Sequence, residues 1–336
     1  MSQESRDAVF AVLTKHYAEV GITIVNNLSD LEALVARRPD LVFLGMNFVP
    51  VNPDLGLRDP AKIWITKYLD DNNISYTGSN QMAHELERNK PLAKQRVLDA
   101  GLKTSPFYVA KQNQPQTREN VPLAFPLFIK PTSRGGGAGI NSDSVVHNLD
   151  QLESKVLSIA TNQQSDSLIE EYLPGREFSV AILKKEHSAE FSVMPIELIA
   201  QPDKQGSRIL SKQVKSSNTE HALAITDKII KDRVNTLAIN AFYALRARDY
   251  GRVDIRLDKT GTPQFLEANL IPSLISGYGS FPKACLLNIG MDYEPMILSI
   301  VRLGLARNLN VSENNPEPNA ANNIVLPPFE DASESV

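Results

Sequence analysis

The chain has 336 residues, 42% hydrophobic and 22% charged, with 35 Lys+Arg against 39 Asp+Glu. That length supports two or three packed units around a large core, and the near-neutral balance excludes a broad basic surface for nucleic acid. The one cysteine, Cys285, excludes a disulfide framework and a Cys-based zinc site and reads as a core residue. No apolar run approaches the roughly 18 residues of a membrane span, and Met1-Ser2-Gln3-Glu4 does not open a signal peptide; the reading is a reduced, cytoplasmic enzyme.

Residues 5–21 place Ala8, Val9, Val12 and Leu13 at helical spacing and stop at Gly21. Ile22–Val25 reads as a short strand. Ser29 is a candidate N-cap for a second helix, with Glu32 three residues on. Pro39 ends that helix, and Asp40–Asn47 reads as a buried strand. Ala61–Asn72 reads as a helix and Ile74–Gly78 as a strand into a turn. This alternation predicts a small, mostly parallel α/β unit over residues 1–80.

Residues 81–101 read as one long helical stretch carrying Lys90. Strands follow at Phe107–Val109 and Pro126–Pro131, on either side of a polar loop (Lys111–Asn120). Next come a helix at Leu149–Ala160, a strand at Ser167–Leu173, and the strands Glu177–Lys184 and Glu190–Ile199 of an antiparallel sheet. The polar stretch Ala200–Asn218 has the composition of a mobile lid. Asp227–Arg246 is an amphipathic helix, Tyr293–Ala306 the last helix, and residues 308–336, rich in Asn, Pro, Glu and Ser, read as a disordered tail.

Three segments carry chemistry. Gly251–Leu257 and Gln264–Pro272 read as the strands of a hairpin turned at Thr260-Gly261-Thr262-Pro263. Period-two geometry puts Arg252 and Asp254 on one face of the first strand, Glu267 and Asn269 on one face of the second. Two carboxylates, an amide oxygen and a guanidinium suit Mg²⁺ held against a nucleotide triphosphate. Upstream, Lys130 ends a strand and leads into Gly135-Gly136-Gly137-Ala138-Gly139. Glycines let backbone N–H groups approach phosphate closely. The Gly-Lys-Ser/Thr ending of a P-loop is missing, and so is the dinucleotide pattern. Between the two, Ser167–Glu177 has the form of a hinge strand whose backbone can meet an adenine edge, while Glu177 can take ribose hydroxyls.

Lys90, then Phe128-Ile129-Lys130-Pro131 with its glycines, then Leu168-Ile169-Glu170-Glu171-Tyr172-Leu173, then Gly251-Arg252-Val253-Asp254 and Leu266-Glu267-Ala268-Asn269 occur in one order. That order resembles the ATP-grasp superfamily, and within it the D-alanine–D-alanine ligase group, over residues 60–305. The resemblance implies an α/β and α+β architecture: an ATP-grasp fold behind a small N-terminal parallel α/β domain. Its boundaries would fall at 1–80, 81–175 (central subdomain), 176–307 (C-terminal subdomain with ω-loop and metal site) and 308–336 (tail).

It also implies roles. Lys90 and Lys130 match the lysines on ATP phosphates, Gly136 and Gly137 the loop that closes over phosphate. Glu170 and Leu173 match the adenine segment, and Glu177 the ribose carboxylate. Lys215 matches the γ-phosphate lysine of the ω-loop, with Lys212 a competitor. Asp254, Glu267 and Asn269 match the magnesium ligands, with Mn²⁺ as an alternative metal, and Arg252 the arginine that stabilises the tetrahedral intermediate. The partners implied are a small-molecule carboxylate and an amine, with no nucleic acid or membrane, in a homodimer.

Three departures bear on the substrate. The family's first strand and glutamate-bearing loop have no counterpart before Ser5–Val9; that strand is absent, contributed otherwise, or encoded upstream. After Asn269 the chain reads Leu270-Ile271-Pro272-Ser273. Ser273 replaces a glycine whose N–H helps form the oxyanion hole. Tyr278 stands where a substrate-binding serine is expected, with Ser276 or Ser280 able to act after a slight shift. The ω-loop tyrosine is replaced by Lys212 or Gln213. His84, near the first-substrate end, reads as a solvated helix histidine. The expectation is an ATP-dependent ligase joining amino acids, or an amino acid to another small acid, through an acyl phosphate. The alternatives are the cell-wall D-alanine–D-alanine ligase, a small-molecule kinase of the same superfamily, and a nucleotide-binding pseudoenzyme.

Overall fold

The computed structural model describes residues 1–112, 114–133, 135–201, 208–210 and 220–313. The first helix, α1 (Gln3–His16), ends well before Gly21, because Tyr17 turns extended and its N–H closes on the Leu13 carbonyl. No strand forms at 22–25, where Ile22 and Ile24 are exposed. Helix α2 (Leu28–Ala36) is capped by Asn27 rather than Ser29: the Asn27 side chain accepts from Asp30 N–H. The parallel sheet expected over 40–47 shrinks to one bridge, Val42 against Tyr76. Its ladder stops where the Leu44 N–H turns to the Thr77 hydroxyl at 3.0 Å instead of a carbonyl. Strands β1 (Phe48–Pro50) and β2 (Lys62–Trp64) pair antiparallel, so only Ile65–Asp71 of the helix expected from residue 61 is helical, as α3. Leu31, Leu44, Val49, Leu69 and Tyr76 still give this region its own core.

The long helix expected over 81–101 is two, α4 (Gln81–Arg88) and α5 (Lys90–Asp99). Asn89 leaves helical geometry and caps α5 through Leu92 N–H, and Pro91 sits where a first turn tolerates it. Four strands then form one antiparallel sheet in the order β3-β6-β4-β5: β3 (Phe107–Ala110), β4 (Leu127–Pro131), β5 (Val145–Val146) and β6 (Ser167–Glu171). Helix α6 (Leu149–Gln163) covers one face through Leu152, Val156 and Ile159.

The second sheet has the order β11-β10-β7-β8-β9, all antiparallel: β7 (Glu177–Lys184), β8 (Phe191–Ile199), β9 (His221–Ala224), β10 (Tyr250–Leu257) and β11 (Pro263–Asn269). Helix α7 (Lys228–Ala244) packs on one face against Phe178, Val180, Ile182, Val253, Ile255 and Phe265. On the other face lie α8 (Ser280–Ile289), which is not among the elements expected from the sequence, and α9 (Tyr293–Glu313). Helix α9 includes 308–313, which the sequence reading assigns to the tail; the rest of that segment, 314–336, lies outside the described residues. Cys285 is fully buried in α8, as expected, and burial pushes its thiol up to about 12. No single described helix is long and apolar enough to cross a membrane; α8 and α9 together would be, but they are bent by 104°.

One face of β7 explains where the site lies. Glu177, Ser179, Ala181 and Leu183 share it by period two. Ala181 and Leu183 are roofed by α8 and α9, and burying a side chain such as that of Leu183 contributes about 1.5–3 kcal/mol. Glu177 and Ser179 lie beyond that roof, where the same face opens toward the first sheet.

Candidate active site

Strand β10 runs between β11 and β7, and its register assembles the polar face. Arg252 stands opposite Asn269 and Ala181, Asp254 opposite Glu267 and Ser179, and Arg256 opposite Glu177. A β-bulge after Asp254 shifts β11 by one residue, which leaves Leu266 unpaired. Without it, Phe265 would share a face with Glu267 and Asn269. The bulge turns Phe265 into the core and lets consecutive Leu266 and Glu267 both reach the cleft.

Asp254 is the hub. It accepts from Arg252 Nε and Nη2 at 2.9 and 2.7 Å, from Ser179 Oγ at 2.9 Å and from Asn269 Nδ2 at 3.2 Å. Arg252 also donates to Ser280 Oγ at 3.2 Å, where α8 begins. Burial opposes the Arg252 charge, but Asp254 outweighs it and raises the guanidinium further. Beside the hub, Lys90 Nζ lies 3.5 Å from Glu267 Oε2; burial pushes that ammonium below its ordinary value, against the pull of Glu267.

Across the cleft, Glu170 on β6 is held from both sides, by Lys130 Nζ at 2.9 Å and Lys94 Nζ at 2.6 Å. Burial works against its charge, yet the two ammoniums prevail and hold the carboxyl down at about 2. Lys130 is raised in return: burial lowers it, but Glu170 and Glu267 outweigh that. The Glu170 carboxylate is thus committed to lysines. What β6 offers a purine at this point is its backbone, and Glu171, Tyr172 and Leu173 line the same cleft.

The cleft between the sheets spans about 660 Å³ of space, part of it open to solvent, walled by Phe128, Lys130, Leu173, Glu177, Leu210 and Glu267 among others. Its lining combines apolar side chains (Phe128, Ile140, Leu173, Leu210) with the Glu177–Arg256 pair (2.9 Å), a mixture that suits a ligand with both a planar apolar part and a polar, charged part. A second hollow of about 340 Å³ meets it at Glu267, lined by Asn47, Glu87, Lys90, Ser133, Gly135 and Asn269.

The sequence-derived candidates separate clearly. Lys90, Lys130, Glu170, Leu173, Glu177, Asp254, Glu267 and Asn269 all meet at these two hollows. Gly136 and Gly137 take positive φ in the turn that follows, and from this loop Gly135 and Ile140 reach the cavity walls. Ser273 is exposed, with its carbonyl packed where a Cβ on Gly279 would come within 2.7 Å. Lys212, Gln213 and Lys215 lie outside the described residues, as does most of the lid stretch; Ile209 and Leu210 within it are buried and line the larger cleft. His84 is not solvated but fully buried: it faces inward on α4, its Nδ1 2.9 Å from Glu87 Oε2. Glu87 in turn accepts from Leu270 N–H at 2.8 Å, so the turn after Asn269 is tied to α4.

Sequence reasoning missed Lys94, Ser179 and Arg256. Each had a signal. Lys94 is one helical turn from Lys90, and Ser179 and Arg256 continue the period-two rows of Glu177 and Asp254. Among the described residues no group of three or more His, Cys, Asp or Glu forms a metal cage. The donor set of Asp254, Glu267 and the Asn269 amide oxygen instead fits Mg²⁺, which binds through one or two carboxylates and completes its shell with water and phosphate.

Residues 97–302 match the family model described as D-ala D-ala ligase C-terminus. An uncharacterized protein y4sG of Sinorhizobium fredii is 29% identical over 68% of this chain and 66% of its own length. A D-alanine--D-alanine ligase of Hydrogenovibrio crunogenus is 29% identical over 70% of this chain and 72% of its own. Among solved structures, the D-alanine--D-alanine ligase of Bacillus anthracis superposes with a TM-score of 0.70 over 92% of this chain and 93% of that one, at 20% identity. Its form complexed with ATP gives a TM-score of 0.69.

Proposed function

Because the chain belongs to the D-alanine–D-alanine ligase family of ATP-grasp, ADP-forming ligases, we propose that it joins a small carboxylate to an amine through the cleft between its two sheets. The observation that carries this is the convergence of Lys130, Asp254 and Glu267 on that cleft, with Lys90 in the adjoining hollow that shares Glu267 and Arg252 bonded to Asp254. Adenine would lie along the β6 backbone against Leu173, with ribose at Glu177. Lys130 and Lys90 would take phosphate oxygens, and Lys215 or Lys212 would reach the γ-phosphate from the ω-loop. Gly136 and Gly137 would let the loop after β4 fold over the phosphates.

In the first step the acid's carboxylate oxygen attacks the γ-phosphorus, giving an acyl phosphate and ADP. In the second the amine attacks the activated carbonyl carbon, phosphate leaves with the bonding pair, and the amine proton passes to solvent or phosphate. Arg252 stabilises the oxyanion of that second step, with the Ser273 N–H as a candidate second donor. Asp254, Glu267 and Asn269 are the residues that would hold Mg²⁺, which when bound neutralises charge on the transferring phosphoryl group. Closure over the cleft would keep water from the acyl phosphate.

The altered turn after Asn269 favours substrates other than two D-alanines, drawn from amino acids or an amino acid and another small acid. Family likeness favours a homodimer working in the cytoplasm, organised as units 1–80, 81–175 and 176–307. The test is ADP release over a panel of D- and L-amino acids with mass detection of products. A ligase requires both acid and amine; ADP release with a hydroxyl acceptor alone would identify a kinase instead, and no release with any pair would sink both.

A further inference from the structure

Lys94 lies on the inward side of α5 and is fully buried. Its ammonium bonds Glu170 Oε1 at 2.6 Å, Ser105 Oγ at 3.3 Å, the Phe265 carbonyl at 3.4 Å and the Thr104 hydroxyl. Glu170 is 2% exposed, and its other oxygen is held by Lys130 at 2.9 Å. Two buried ammoniums therefore share one carboxylate, and the three groups together carry one net positive charge. Only one of the lysines, Lys130, lines the nucleotide cleft; Lys94 stands behind the carboxylate.

Such an arrangement is poor design for stability alone. A single lysine would neutralise Glu170, and a second buried cation adds desolvation cost without a second anion. It makes sense if an anion arrives from outside. With Lys130 alone, the pair would be neutral, and an entering polyphosphate would face both the lysine and an unscreened carboxylate that competes for it. With Lys94 on the far oxygen, the charge of Glu170 is already answered.

We propose that Lys94 is a positioning residue for nucleotide binding: it neutralises Glu170 from behind, so that Lys130 is released to a phosphate oxygen of the incoming triphosphate. The inference rests on the nucleotide reading of the cleft. Burial pushes Lys94 down to about 8, against the pull of Glu170. The other charges near the triad are Glu267, Glu177 and Lys90.

Calorimetric titration of the full chain with Mg·ATP and with adenosine tests it. Lys94→Met is expected to weaken Mg·ATP binding about tenfold and to leave adenosine binding unchanged, since adenosine brings no phosphate. Lys94→Met/Glu170→Gln is expected to recover most of that loss, because the competing carboxylate is gone. A structural role predicts the reverse order, as the double variant removes more of the buried bonds. Wild-type affinity in the single variant, equal weakening for both ligands, or no recovery in the double variant would each overturn the proposal. If Lys94→Met does not fold, Lys94→Gln, which keeps a donor for Thr104 and Ser105, is read by the same criteria. A wild-type chain that binds no Mg·ATP would instead remove the nucleotide reading beneath it.

Discussion

Arg252 grips Asp254 with two parallel bonds, Nε to Oδ1 at 2.9 Å and Nη2 to Oδ2 at 2.7 Å, two residues apart on one strand. The carboxylate proposed to hold Mg²⁺ is therefore held by the guanidinium proposed to face the oxyanion, so a cation arriving there would compete with Arg252 for it. A lysine cannot reproduce that planar fork. Arg252→Lys is expected to keep the fold, seen by circular dichroism, while kcat for ADP release falls roughly 100-fold, the scale of losing one oxyanion donor. Unchanged kcat would take Arg252 out of the chemical step.

Glu267 lines both hollows and faces Asp254 across the hairpin. Glu267→Ala should abolish metal-dependent ATP turnover with little loss of stability, because the residue is only half-buried on β11. Turnover with unchanged magnesium dependence would mean that the hairpin is not the metal site.

The hairpin was legible because its chemistry and its geometry share one period: polar residues at 252, 254, 267 and 269 had to face together, and the register makes them do so. The bulge was not, since Leu266 gives no local sign of being the extra residue. The first 80 residues misled for a related reason. Short apolar runs such as Ile22–Val25 and Asp40–Asn47 have strand composition, but a strand exists only where a neighbour supplies its hydrogen bonds. Here Thr77 and the extended segments end the pairing after one bridge. The break at Asn89 is written in Asn89-Lys90-Pro91, an N-cap residue followed by a proline in the first turn of a new helix. Lys94 was hidden because a lysine on a helix reads as solvent-facing until its carboxylate, 76 positions away, is brought to it.

Glu170 makes stability depend on acid. Its folded-state value, held near 2 by Lys130 and Lys94 against burial, lies below the ordinary ~4.3 of a free glutamate. The stabilisation from this carboxylate is thus fully present above pH ~4.3 and is lost as pH falls from there toward 2. Urea midpoints for the natural chain and Glu170→Gln should differ most at neutral pH and converge toward pH 2. A difference independent of pH would show that the ion pairs contribute nothing and that only shape was lost.

Gly175 lets the turn before β7 approach the end of β10 closely. A Cβ there would lie 2.5 Å from the Leu257 carbonyl oxygen and 2.7 Å from Leu257 Cβ. Main chain cannot yield cheaply, so Gly175→Ala should cost about 1–3 kcal/mol, the scale of overpacking. The same shift moves the Gly175 carbonyl, which accepts from Arg256 Nε at 3.1 Å, and with it the Arg256–Glu177 pair. The expected signature is a lower thermal midpoint together with a raised KM for ATP; a lower midpoint with unchanged KM would separate this turn from the nucleotide site.

Ser280 and Tyr278 compete for the role of meeting the second substrate, and their partners distinguish them. Tyr278 donates to Glu220 Oε1 at 3.0 Å and stacks beneath Lys283, so its hydroxyl is already engaged away from the hairpin. Ser280 receives Arg252 Nη1 at 3.2 Å, which puts its hydroxyl beside the group proposed to face the reacting carbonyl. Removing that hydroxyl deprives a substrate carboxylate of a hydrogen bond, about 1.5–3 kcal/mol where the partner is charged, or roughly tenfold or more in KM. Ser280→Ala is therefore expected to raise KM for the amine substrate about tenfold while KM for ATP stays level, and Tyr278→Phe to change neither beyond about twofold. The opposite pattern in steady-state kinetics would move the acceptor site to Tyr278 and away from the start of α8.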